Sequence, residues 1–153
     1  MNTMTADEHG FTMIELMVVV LVIGILITVA LPTFLGAQDR ARDRQAQADL
    51  RIAVAAAKVH FTDGGTYTGF TGGALGTAGD IEPAIAWIGP ADPGPTRAVS
   101  IAVSAGDDLL LVRRSDTGAY FCLSDQQNVP GFSRGKGAAY GAVDTHAECV
   151  GGW

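Results

Sequence analysis

Between Phe11 and Leu31 the chain is apolar at every position except Thr12, Glu15, Gly24 and Thr28, and Glu15 is its only ionisable group. That length matches the ~20 residues a helix needs to cross a hydrocarbon core. A charged group inside a bilayer costs on the order of 2.5–3.5 kcal/mol even on insertion scales, so the acid calls for a partner or a task. Nothing adjacent in sequence neutralises it. Gly24 and Pro32 weaken the same helix, Gly by ~1 kcal/mol relative to Ala and Pro by ~3 kcal/mol, and Pro32 lacks the N–H that would bond the carbonyl of Thr28. Beyond the span the pattern turns amphipathic. Leu50, Val54, Ala57 and Phe61 recur at steps of four, three and four, which marks one apolar helical stripe. Asp63-Gly64-Gly65 closes the pattern, so one long helix is predicted from about Phe11 to Thr62, with an interruption near Pro32 left open.

Residues 63–95 read as loop, broken by Gly72-Gly73 and the run Pro90 to Pro95, with one short element near Ile85–Ile88. Three strands follow: Thr96–Val103, Leu109–Arg113 and Ala119–Ser124, joined by hairpin connections at Ser104–Asp107 and Ser115–Gly118. An antiparallel sheet over 96–124 laid on the helix stripe buries both apolar faces, which predicts an α+β head.

The chain has 153 residues and a formal charge of -6. After the N-terminal span only one modest soluble domain fits, and the acidic balance argues against general nucleic-acid affinity. Arg40, Arg42, Arg44 and Arg51 alternate with Asp39, Asp43 and Asp49 just past the span. The spacing pairs Asp39 with Arg42 and Arg40 with Asp43 on a solvated helix face; the other reading is contact with another subunit or with DNA. Cys122 and Cys149 are expected to form a disulfide on an oxidising side of the membrane, the alternative being two buried thiols.

Gly10-Phe11-Thr12-Met13-Ile14-Glu15-Leu16 carries a further signal. A short polar leader ending in Gly, followed by a Phe-Thr-Leu-Ile-Glu-like opening of a long apolar helix, resembles the type IV prepilins, including the pseudopilins of type II secretion. Met13 stands where the family usually has Leu. The resemblance implies a leader at 1–10, cleavage after Gly10 by a prepilin peptidase/N-methyltransferase, and N-methylation of Phe11. It implies that 11–35 is the transmembrane and assembly half of the helix, in which Glu15 meets the Phe11 amine of a neighbouring subunit. Gly24 and Pro32 become weak points that unwind on assembly or stretching, against a plain kink that aims the head. The head would be 36–153, holding the second half of the helix (36–62), the loop, the sheet and a disulfide-bounded C-terminal loop at 122–149. Implied partners are other pilin subunits, an assembly platform and a motor ATPase, with the membrane as host before assembly.

The leader departs from the family pattern, with His9 before Gly10 and acids at Asp7 and Glu8. Positive charge lies beyond the span instead, which by the positive-inside rule alone would leave the head in the cytoplasm; the resemblance and the cysteine pair place it outside. No enzyme, cofactor or metal is expected. His60 and His146 stand without a nucleophile or metal-ligand spacing, and Asp107, Asp108, Asp125, Asp144 and Glu148 lack EF-hand spacing for calcium. The predicted function is a structural subunit of a type IV pilus or pilus-like filament. The alternatives are a pseudopilin of a secretion or DNA-uptake machine and a membrane-tethered binding module that does not polymerise.

Overall fold

The computed structural model describes residues 10–73, 75–126 and 129–153; the expected leader, up to His9, lies outside the described residues. Helix α1 runs Met13–Gly64 with Pro32 inside it, α2 is Thr77–Ile81, and the strands are β1 (Trp87–Ile88), β2 (Val99–Ala105), β3 (Asp108–Arg114), β4 (Tyr120–Gln126) and β5 (Val129–Gly137). Two compact units divide the chain, one ending at Gln38 and one spanning Asp39–Trp153. The fold is α+β and pilin-like, with a long helix whose apolar first half is exposed and a five-stranded, mostly antiparallel sheet.

Helix α1 starts two residues later than the pattern predicts because Thr12 caps it. The Glu15 N–H donates to Thr12 Oγ1 at 3.2 Å, the N-cap geometry that satisfies one of the four unpaired donors of a helix start. At the other end Gly65 adopts φ +68° and its N–H donates to the Phe61 carbonyl at 2.7 Å, the left-handed glycine cap. No break occurs at Pro32. Hydroxyls flank it instead: Thr28 Oγ1 donates to the Gly24 carbonyl and Thr33 Oγ1 to the Ala30 carbonyl, both at 2.8 Å.

Within the second unit the sheet order is β1-β2-β3-β4-β5. The central three strands are the ones predicted and pair antiparallel as expected; at the edge β1 adds a parallel pairing with β2, Trp87 opposite Val99, and one expectation is corrected. The C-terminal loop expected at 122–149 contains β5, nine residues paired antiparallel with β4 from Tyr120–Gly137 to Gln126–Val129. The loop at 63–95 likewise holds α2 as well as the short element at Trp87–Ile88.

The predicted stripe buries as expected. Leu50, Ala53, Val54 and Ala57 pack with Leu109, Leu111, Phe121 and Leu123 on one face of the sheet, and Phe61 is partly buried beside them. The opposite face carries a second cluster of Leu110, Val112, Tyr120 and Cys122 under Val143 and Cys149. Strand β3, apolar at four consecutive positions, is sealed on both sides by these two layers.

Candidate processing and assembly site

The N-terminal unit is built around one chemical contradiction. Met13 is 84% exposed, Ile14 72% and Leu21 64%, and the remaining large apolar side chains through Leu35 are exposed as well. An apolar surface of this extent does not persist in water and marks a membrane or protein contact. The helix is long and apolar enough to span a bilayer. Glu15 is exposed in its first turn, where the positive end of the helix macrodipole favours a carboxylate. Thr12 and Glu15 together form the Thr-x-x-Glu pattern of a capping box. Thr12 escaped the sequence reading, although that spacing was there to signal it. Gly10 and Phe11 precede the cap, so the peptide bond between them lies outside hydrogen-bonded helix.

In the second unit the charged ring of α1 is not simply a solvated face. Asp39 pairs with Arg42 at 3.1 Å, as the spacing predicts. Asp43, expected to meet Arg40, instead bonds Lys136 of β5 at 3.1 Å and accepts from the Thr117 hydroxyl at 2.6 Å. Burial pushes its carboxyl pKa up, yet hydrogen bonds from Thr117, Ser115 and Lys136 together outweigh that and hold it below the usual value. Asp49 receives Arg113 Nε at 2.9 Å and Nη2 at 2.8 Å. Both nitrogens meet the one oxygen Oδ2, a charge-assisted contact of the stronger kind, and Arg113 is only 3% exposed.

A third polar tie closes the far end. Asp125 of β4 accepts the Tyr67 hydroxyl and pairs with Lys58 Nζ, while the rings of Phe61, Tyr67 and Phe132 each lie 5.5 Å or less from neighbouring members of this group or from Lys58 Nζ. Burial and the Asp125 carboxylate push the Tyr67 hydroxyl up to about 12. Asp43, Asp49 and Lys58 thus dock the helix on the sheet at three heights.

Cys122 and Cys149 form a disulfide with Cα atoms 5.7 Å apart, so the thiol alternative falls. His60 lies on Phe70 and faces the Thr68 carbonyl at 3.3 Å. His146 Nδ1 is 2.6 Å from Ser124 Oγ. Asp107 and Asp108 sit at the β2–β3 turn, and Asp144 and Glu148 in the C-terminal segment. Among the described residues no three His, Cys, Asp or Glu side chains converge on a metal-sized site.

A capped apolar helix long enough to span a bilayer, preceded by Gly10-Phe11 and followed by a disulfide-bonded α+β head, fits a single-pass membrane precursor of pilin-like fold. A family model for the prokaryotic N-terminal methylation motif matches residues 5–31. The chain is 41% identical over 63 residues to the type IV major pilin protein PilA of Myxococcus xanthus, a match covering 41% of this chain and 29% of that protein. It is 39% identical over 62 residues to the type IV wide pilus major component PilA4 of Thermus thermophilus, covering 40% and 47%. Similarity to the type II secretion system core protein G of Escherichia coli is 28% over 130 residues, covering 78% of this chain and 82% of that protein. The match thus spans less than half the length of either pilin. No solved structure gives a significant match. The chain carries the prepilin motif, and its homologues are major pilins and a type II secretion pseudopilin.

Proposed function

We propose that the chain is a structural subunit of a type IV pilus or pilus-like filament. The observation that carries this reading is the methylation motif at residues 5–31 fused to a helix whose apolar side chains are exposed along its first half. In this reading a prepilin peptidase/N-methyltransferase cuts after Gly10 and methylates Phe11. The precursor waits as a single-pass protein of the cytoplasmic membrane, and an assembly platform with its motor ATPase moves it into a filament of like subunits. Glu15 then faces the Phe11 amine of a neighbour, because an acid in an apolar bundle needs a counter-charge that one subunit alone does not supply. Gly24 and Pro32, with the Thr28 and Thr33 hydroxyls drawing on backbone carbonyls beside them, mark the segment that yields when the helix leaves the bilayer. The role is mechanical rather than catalytic.

The test is Glu15→Ala in the full chain, followed by intact-mass analysis of sheared surface material and of membranes. Cleaved, methylated protein that accumulates in membranes while the sheared fraction empties supports the assignment. Normal fibres without Glu15 would sink the assembly role of that carboxylate, and uncut wild-type protein confined to membranes would favour a tethered module.

A second reading has its own support. The alignment to the core protein G runs through 78% of this chain, so head and helix together resemble a pseudopilin. In that case the filament stays within the envelope, and sheared material from wild-type cells holds none of it.

A further inference from the structure

The head carries charges that its own residues leave unanswered. Two guanidiniums approach the indole of Trp153, that of Arg51 on α1 at 5.2 Å and that of Arg134 on β5 at 5.4 Å from the ring centroid. Its Nε1 donates to the Cys122 carbonyl at 3.1 Å and its ring meets Phe121 edge-on, so the indole is fixed. Each guanidinium gains from the ring face, but the two repel one another. Among the described residues the ion pairs engage Arg42, Lys58, Arg97, Arg113 and Lys136, and no carboxylate reaches Arg51 or Arg134. A cleft of about 400 Å³ opens beside them, lined by Phe132, Arg134, Gly151, Gly152 and Trp153 among others.

The opposite imbalance stands at the end of α1. Its last turn contains no basic residue and holds Asp63, where the carbonyl end of a helix favours a cation. Thr66 Oγ1 and the Tyr67 N–H both donate to the Gly106 carbonyl at 2.7 Å. This fixes the β2–β3 turn against the helix end and brings Asp107 and Asp108 to the same pole. None of the three acids has an ion pair among the described residues. Arg51 and Asp63 stand about 18 Å apart along the helix at 1.5 Å per residue, so the head does not neutralise itself.

We propose that these two places meet between copies of the chain: the acidic pole of one head, Asp63, Asp107 and Asp108, docks on the Arg134–Trp153 cleft of the next and on Arg51 beside it. The two surfaces differ, so the contact is heterologous and propagates rather than closing into a dimer. A second copy fits better than a nucleic acid because it bears the complementary acids itself, and because a charge of -6 spread over 153 residues opposes a like copy less than it opposes the dense charge of a polyanion. The proposal rests on the filament reading and names the contact that orients its heads.

The experiment uses full-length protein in its own cells, with Arg51→Glu/Arg134→Glu, Asp63→Lys/Asp107→Lys, and the combination. Two readouts are fibre recovery and bis-maleimide cross-linking between Asp108→Cys in one tagged copy and Phe132→Cys, on the cleft wall, in another, positions that the reversals leave untouched. Each reversal should lower both by about tenfold or more, since like charges brought together at an interface are strongly unfavourable, and the combination should recover most of the loss. Intact mass showing the disulfide, together with the milder Arg134→Gln falling between wild type and reversal, separates a lost contact from a lost fold. Fibres of the cysteine-bearing copies that give no cross-link, together with fibres that tolerate both reversals, would overturn the contact while leaving the filament reading standing. Normal fibres that lose retention of labelled duplex DNA on the arginine reversal would assign the cleft to a polyanion and overturn it too. Uncut, fibreless wild type speaks against the filament reading itself, and the cross-link between the same two introduced cysteines, measured in membranes, still decides the contact.

Discussion

Replacing Asp125 by Ala tests how the helix end is held to the sheet. Asp125 is 6% exposed and accepts the hydroxyl of Tyr67, which is fully buried, while pairing with Lys58 Nζ. Breaking a buried ion pair from one side costs about 3–5 kcal/mol because the partner charge stays behind. Lys58 is 39% exposed along its side chain, so water recovers part of that and the ionic share falls to about 1–2 kcal/mol. The orphaned Tyr67 hydroxyl adds about 1–3 kcal/mol. The expected total is about 2–5 kcal/mol. Tyr67→Phe should cost about 1 kcal/mol, and Lys58→Met at least as much, since it leaves the buried Asp125 carboxylate without a counter-charge. The assay is urea unfolding of the detergent-solubilised full chain, read by fluorescence of buried Trp87, with Asp125→Ala/Lys58→Met completing a double-mutant cycle. A cycle coupling near zero, or an Asp125→Ala cost no greater than that of Tyr67→Phe, would refute the assignment of Asp125 as the hub.

Reduction of the disulfide should destabilise the head by about 3–4 kcal/mol in the chain-entropy model, given the sequence separation of 27, measured as a drop in urea midpoint with dithiothreitol and absent in Cys122→Ser/Cys149→Ser. Gly135→Ala should cost about 1–3 kcal/mol, because an added Cβ would stand 2.8 Å from Val150 N and 2.9 Å from Cys122 Sγ, while Gly79→Ala, which meets nothing within 4 Å, should be neutral or mildly stabilising in the same titration. Alkaline stability follows from Tyr67: its pKa rises from 10.0 to about 12 on folding, so the folded state holds the proton more tightly. That stability is complete below pH 10 and drains away between pH 10 and about 12. Tyr67→Phe should flatten the decline, and an unchanged pH profile would contradict the buried hydroxyl.

The long helix and the three central strands were legible because they obey periodicity: steps of four and three at Leu50, Val54, Ala57 and Phe61, and apolar runs such as Leu109–Val112. The N-terminal motif, which a family model matches over residues 5–31, was legible because an isolated acid in an apolar run stands out chemically. The docking of the charged ring was not. Sequence spacing sees only neighbours on the same helix, so Asp43 was matched with Arg40. Its actual partners, Thr117 and Lys136, lie on the sheet and are brought to it by the tertiary fold.

Strand β5 shows the opposite failure, in which a correct local rule gave the wrong element. Gly131, Gly135 and Gly137 lower strand propensity, and a chain rich in Gly reads as loop. In the fold Gly135 and Gly137 are small because the C-terminal segment lies directly on them. A Cβ on Gly135 would meet Val150 N and Cys122 Sγ, and one on Gly137 would come within 2.9 Å of Val143. The other face of the strand carries Phe132, Arg134 and Lys136, whose rings and cations reach Lys58, Trp153 and Asp43. The alternation of a strand is therefore present, but its two faces read as small and cationic instead of apolar and polar. That same alternation places Arg134 beside Trp153, which Arg51 also approaches. The feature that hid the strand from its sequence is the one that builds the cleft proposed to receive the next subunit.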